Sequence, residues 1–277
     1  MKKEMKILLV VLISLVILIS SYFLLFKSCK PKDQNKRIIV DISHSYTNPS
    51  EISDFVNYLD CEGWYVYVLD DSEISLKDFI DEKKPNVTVI FNDWYEPIVD
   101  EEQNALFEFI ENGGGFLYLK PRGGLNLSRI GYFGEYESQI YSVPGVEADL
   151  LGKSVKSDVI QEITEFTDSE IFNDVSKLPN LGRPLNITEP LVGIAWSKEN
   201  TIVTDTAECD CDDPYSDCYC IIKKTTEWGP FPYIVKAEFG DGKVIITSGT
   251  EEYIENDSFR DSNVKNFLMN AVEFLIK

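Results

Sequence analysis

Histidine occurs once in 277 residues, at His44, and basic residues are few: 26 Lys and Arg stand against 47 Asp and Glu. One imidazole excludes a His-rich metal set. Eight of the basic and two of the acidic residues fall within residues 1–37, so residues 38–277 carry 18 and 45, a net charge of −27. A surface that negative repels phosphate, which argues against nucleic acid and against broad contact with anionic headgroups. Gly-x-Ser-x-Gly is absent, and with it the nucleophile elbow of an α/β-hydrolase. No internal repeat or low-complexity tract is present, so repeat architectures drop out.

What the chain does have is an uncharged apolar run of twenty residues, Ile7–Phe26. At about 1.5 Å rise per residue it reaches about 30 Å, the thickness of a hydrocarbon core. Lys2, Lys3 and Lys6 would suit a secretory n-region, but the run exceeds an ordinary h-region. Phe-Lys-Ser-Cys29 offers neither a small-residue cleavage site nor a lipobox. The expectation is a tail at 1–6, an uncleaved single-pass anchor at 7–26, a polar stalk at 27–36 and one domain at 37–277. Cys29 then reads as an incidental juxtamembrane thiol. Lys27, Lys30, Lys32, Lys36 and Arg37 would keep the C-terminal side in the cytoplasm. Sequons at Asn86, Asn126, Asn186 and Asn256, with cysteines in a disulfide pattern, point outward. The expected setting is the cell membrane, with the bilayer and a membrane protein as partners and the domain extracytoplasmic.

Strand–helix alternation dominates the first half. Arg37–Ile42, Trp64–Leu69, Val87–Phe91 and Phe116–Leu119 are compact apolar runs of strand length. Between them, Ile52, Phe55, Val56 and Leu59 recur at helical spacing behind a Ser50 cap, and a short helix is expected over Ser75–Lys84. Asp100 with Gln103 resembles a capping box, opening a helix that ends at Gly113-Gly114-Gly115. Such alternation implies right-handed crossovers and a parallel sheet covered by helices on both faces. Residues 121–227 are less regular and read as an elaboration. From Leu191 the texture turns to β: Leu191–Trp196, Thr201–Cys211, Cys218–Thr226, Ile234–Phe239 and Lys243–Thr247. A final helix follows from Ser262. The fold class expected is α/β, flavodoxin-like, with a β-rich C-terminal part.

Three features carry a family resemblance: Ile-Val-Asp41-Ile-Ser-His44 closing the first strand, the triple glycine before a hydrophobic strand, and Phe239-Gly-Asp-Gly-Lys-Val-Ile-Ile-Thr-Ser248-Gly. Over 37–120 and 228–277 the chain resembles the uncharacterised, membrane-anchored members of the class I glutamine amidotransferase-like superfamily. Relatives of that group include auxiliary proteins of gliding-motility ABC transporters and an intraflagellar-transport subunit. The resemblance implies a nucleophilic cysteine in a strand-to-helix elbow with a histidine and an acid further along. A thiolate attacks the amide and an imidazole shuttles the proton. Here Phe116–Leu119 runs into Lys120-Pro121-Arg122-Gly123-Gly124, with no cysteine, and the one histidine precedes that strand. Cys61 reads as a small core or helix-end residue. The dyad is absent, and no cofactor is implied.

Cys209-x-Cys211 and Cys218-x-Cys220 flank an acidic turn. An antiparallel hairpin with a constant residue sum sets Cys209 opposite Cys220 and Cys211 opposite Cys218, within disulfide reach. Four thiolates around zinc are the alternative, although Cys-x-Cys on extended strands departs from the usual zinc knuckle. Asp210, Asp212, Asp213 and Asp217 would attract calcium only if they were not a solvated turn. Two functional readings remain. One is a membrane-tethered, non-catalytic binding or scaffold domain that recognises a partner protein or small ligand. The other is a hydrolase-type enzyme working at the carboxyl ends of the strands, where open α/β sheets place ligands. The site residues expected at that rim are Asp41, His44, Asn92, Asp93, Arg122, Ser248 and Glu251.

Overall fold

A computed structural model describes residues 29–71, 73–91, 98–119, 125–135, 152–155, 162–179, 185–197, 201–210, 219–228, 232–248 and 253–277. The alternation forms as expected: β1 (Arg37–Asp41), α1 (Ser53–Cys61), β2 (Tyr65–Leu69), α2 (Leu76–Lys83), β3 (Val87–Phe91), α3 (Asp100–Glu111) and β4 (Gly115–Leu119). After a 3-10 turn come β5 (Tyr132–Glu135), β6 (Gly152–Val155), β7 (Ile163–Phe166), β8 (Leu185–Ile187), β9 (Val192–Ser197), β10 (Thr201–Asp210), β11 (Tyr219–Trp228), β12 (Pro232–Phe239) and β13 (Gly242–Thr247). Two helices close the chain, α4 (Asn256–Phe259) and α5 (Ser262–Leu275).

The fold is α/β. One eight-stranded sheet has the order β2-β1-β3-β4-β13-β12-β9-β7. Its first five members run parallel, and β12, β9 and β7 add antiparallel pairings. The irregular segment 121–227 thus supplies two strands of the main sheet. It also supplies β6, β10 and nearly all of β11, which form a separate three-stranded sheet with β10 in the middle.

Side chains alternate across the central strands, so each strand feeds two cores. Ile38, Val40, Val89, Leu117 and Ile245 face α1 and α5 through Phe55, Leu59, Phe267 and Leu268. Ile39, Ile90, Tyr118, Val244 and Ile246 face α2 and α3 through Leu76, Ile80, Leu106 and Ile110. Each large apolar side chain withdrawn from water contributes about 1.5–3 kcal/mol. Gly113 ends α3 in the left-handed region, φ +95°. A Cβ on Gly242 would lie 2.1 Å from the Ile110 carbonyl oxygen, so the turn into β13 tolerates no side chain.

Several expectations change. Among the described residues no helix is long and apolar enough to cross a membrane, and the expected span at 7–26 lies outside them. The single-pass anchor, the bilayer partner and the cell-membrane location find no support in the structure and are withdrawn. Cys29 and Cys61 are neither incidental nor a simple core residue: they form a disulfide, with Cα atoms 4.3 Å apart. Residues 29–36, expected as a stalk, are laid along the domain. Lys30 N–H donates to the Cys61 carbonyl (2.7 Å), Asp33 N–H to that of Gly63 (2.9 Å) and Tyr65 N–H to that of Lys36 (2.7 Å). Ser50 does not cap α1. Asn256 reaches across from α4 instead, its Oδ1 accepting from Asp54 N–H at 2.9 Å.

Candidate functional site

The order β2-β1-β3-β4 reverses direction beside β1, because β2 lies to one side of it and β3 to the other. A crevice opens at the carboxyl ends of the strands at such a reversal, the usual ligand position in open α/β sheets. Asp41, the last residue of β1, pairs in register with Leu69 and Ile90 and is fully buried there.

The chain leaves β1 in a tight, serine-rich turn that Asp41 organises. Its Oδ1 accepts from Ser43 N–H at 3.0 Å and from Ser43 Oγ at 2.7 Å. Its Oδ2 lies 3.1 Å from His44 Nδ1. Ser43 Oγ is also 3.0 Å from Nδ1. The single hydroxyl proton is committed to Asp41, so Ser43 accepts from Nδ1, which must carry a proton. On the other side of the ring, Nε2 lies 3.6 Å from Glu102 Oε2, an ion-pair distance. Glu102 is the third residue of α3. Its Oε1 accepts from Leu76 N–H at 2.8 Å, and its Oε2 from Val99 N–H at 3.3 Å.

His44 is only 6% exposed. Burial alone lowers its pKa, but hydrogen bonds and attraction to Asp41 and Glu102 outweigh it and raise the value from 6.5 to about 10. The His44 ring beside it, aided by hydrogen bonds from Leu76 and Val99, holds the Glu102 carboxyl below its ordinary value. The two carboxylates favour the charged form of the ring, with Nδ1 at hydrogen-bond distance from Asp41 and Nε2 at ion-pair distance from Glu102. The cluster ties the β1 loop to the starts of α2 and α3.

Of the expected site residues, the structure brings Asp41 and His44 together. Ser248 lies on the same rim, because Thr247 pairs with Leu119, Leu119 with Phe91, and Ile90 with Asp41. Its side chain is 3% exposed, and its Oγ has no hydrogen-bond partner among the described residues. Three inter-strand spacings of about 4.8 Å separate β13 from β1, so Ser248 stands roughly 14 Å from the histidine loop. Asn92, Asp93, Arg122 and Glu251 lie outside the described residues. Glu102 is the residue that sequence reading missed. It reads as one of several acids in an exposed first helical turn, and the capping signal was assigned to Asp100 and Gln103. The true signal is Glu102 at the third helical position, three residues after Val99.

Cys209 and Cys220 are directly opposed in the β10–β11 register, while Cys211 and Cys218 lie outside the described residues. Among the described residues no group of three or more His, Cys, Asp or Glu side chains is arranged to hold a metal ion. Two clefts open at the opposite, amino edge of the sheet. One of about 540 Å³ lies between α2 and α3 and includes Asn86 and Gly113. The other, about 550 Å³, is formed by residues 30–36 with Glu62.

No protein-family model matches the chain, and no curated protein matches it. Similar solved structures exist at low identity. A cytoplasmic protein from Salmonella typhimurium LT2 is 11% identical, with a TM-score of 0.49, over 87% of this chain and 100% of the other. A ThuA-like protein from Bacteroides uniformis is 13% identical, TM-score 0.47, over 88% and 93%. A second ThuA-like protein, from Parabacteroides merdae, is 12% identical, TM-score 0.45, over 90% and 91%. ThuA-like proteins are related to the class I glutamine amidotransferase-like folds. At such identities the likeness concerns the fold alone.

Proposed function

We propose that this chain is a non-catalytic binding or scaffold domain with an amidotransferase-like fold, of the class I glutamine amidotransferase-like superfamily. The observation that carries the reading is the enclosure of His44 between two carboxylates, Nδ1 3.1 Å from Asp41 Oδ2 and Nε2 3.6 Å from Glu102 Oε2. The sequence's one imidazole has both of its nitrogens facing carboxylates. The elbow after β4 has no cysteine in the sequence to use it. The buried, unpartnered hydroxyl of Ser248 favours a second reading, a hydrolase-type enzyme. Against that stand the three strand spacings between β13 and β1, roughly 14 Å, where a serine–histidine pair needs contact within about 3.2 Å.

Because His44 is the only histidine, its ring nitrogens give unambiguous ¹⁵N signals. Both nitrogens are expected to remain protonated from pH 5 to beyond pH 8. A titration midpoint near 6.5 would make the imidazole a free base and overturn the reading.

A further inference from the structure

Four large apolar side chains stand out as exposed among the described residues, and three of them share the carboxyl rim. Tyr46 is 67% exposed, Val99 57% and Ile74 43%; the fourth, Val192, belongs to β9. The three come from different loops, yet one carboxylate gathers them. Tyr46 follows His44 by two residues, Ile74 precedes Leu76 by two, and Val99 itself donates its N–H to Glu102. Their backbones are therefore pinned to one buried cluster, so presenting them costs little ordering on contact.

The exposed charges that flank Ile74 and Val99 among the described residues are acidic. Asp71 and Glu73 share the Ile74 turn, where Glu73 N–H donates to Asp71 Oδ1 at 2.9 Å. Asp100 and Glu101 follow Val99 in the first turn of α3. All four are exposed. The nearest lysine, Lys77, is paired with Asp81 at 3.2 Å, with Asp78 and Glu101 also raising its pKa. An exposed aromatic with aliphatic neighbours inside a charged border has the make-up of a protein contact, with an apolar centre and a polar rim. The border selects the partner's sign.

We propose that this rim docks a basic polypeptide segment, one that sets apolar side chains on Tyr46, Ile74 and Val99 and places Lys or Arg against Asp71, Glu73 and Glu101. This rests on the binding-domain reading above and names its surface and partner. The docking would be strongly salt-dependent, because exposed charges are screened over about 8 Å at physiological ionic strength.

The test uses the full chain and three labelled 18-residue peptides: an amphipathic Lys/Leu helix, an equally charged Lys/Ser peptide and an uncharged Leu/Ser peptide. The Lys/Leu peptide is expected to bind at least tenfold more tightly than either control. Tyr46→Ser/Ile74→Ser/Val99→Ser should weaken it at least tenfold, Val99→Ser alone should weaken it measurably, and Val192→Ser should leave it within twofold. Absence of Lys/Leu binding, equal binding of Lys/Ser, or equal loss with Val192→Ser would overturn the proposal. The His44 ¹⁵N signals, recorded on the same samples, verify folding and separate the two ideas. No rim binding with a doubly protonated ring sinks the docking surface alone. Rim binding with a midpoint near 6.5 sinks the non-catalytic reading alone.

Discussion

His44 sits between two carboxylates at the carboxyl rim, and the energetics of that cluster are open to measurement. Removing His44 leaves Asp41 and Glu102 buried and facing one another without their cation. Breaking a buried charge cluster on one side costs about 3–5 kcal/mol. His44→Ala should therefore lower the unfolding free energy by about that amount in urea titrations, whereas a surface histidine would cost under about 0.5 kcal/mol. The pH dependence has a fixed sign. His44 is raised from 6.5 to about 10 in the folded state, so its stabilisation is complete below pH 6.5 and lost as pH rises toward 10. The slope cannot exceed about 1.4 kcal/mol per pH unit for one proton. Glu102 is lowered from 4.5, so its contribution is present above pH 4.5 and lost as pH falls further. Stability should peak between these limits, and His44→Ala should flatten the alkaline limb. Asp41 and His44 were legible in the sequence because a polar turn after an apolar strand announces itself. Glu102 was not, since its partners lie 26 and 58 positions earlier in the chain.

Two elements are held by bonds that the sequence pattern pointed away from. The disulfide Cys29–Cys61 closes a sequence separation of 32 residues, worth about 4 kcal/mol in the chain-entropy model. Reduction, or Cys29→Ser, should lower the unfolding free energy by up to that amount and expose the Lys30 and Asp33 amides to rapid hydrogen exchange. Unchanged stability after verified reduction would show that the strap is held by its backbone bonds alone. Asn256 lies in a sequon, but its Nδ2 donates to the Ser50 carbonyl at 2.9 Å and to Ser53 Oγ at 3.2 Å while Oδ1 caps α1. A glycan on that nitrogen would break the cap, so Asn256 should carry none. Asn256→Ala should cost about 1 kcal/mol, the usual value of a helix cap. In the β10–β11 ribbon the register sets Cys209 opposite Cys220. Non-reducing mass mapping should find these two linked. Stoichiometric zinc with reduced thiols would establish the metal alternative instead.

For the molecule as a whole, the sheet places its polar turns at one edge and its two described clefts at the other. Purified protein should release no ammonia from glutamine, with or without an acceptor amine, since neither an elbow thiol nor a free imidazole is present. A glutamine-dependent rate that Ser248→Ala abolishes would establish the hydrolase reading. The net charge of −27 over residues 38–277 acts at this same scale. A charge of that sign repels polyanions and attracts polycations, as the proposed docking of a basic segment requires.

The sequence by itself determined the parallel core, because compact apolar runs of strand length separated by helical ones admit few other packings. It determined the β10–β11 register too, since the cysteine spacing matches across a short turn. It also shows that no cysteine directly follows β4. Tertiary structure alone decided that β7 and β9 complete the main sheet, that Cys29 meets Cys61, and that Glu102 closes on His44. Each of those contacts joins residues far apart in the chain, where local periodicity carries no information and only the packed sheet brings the partners within bonding distance.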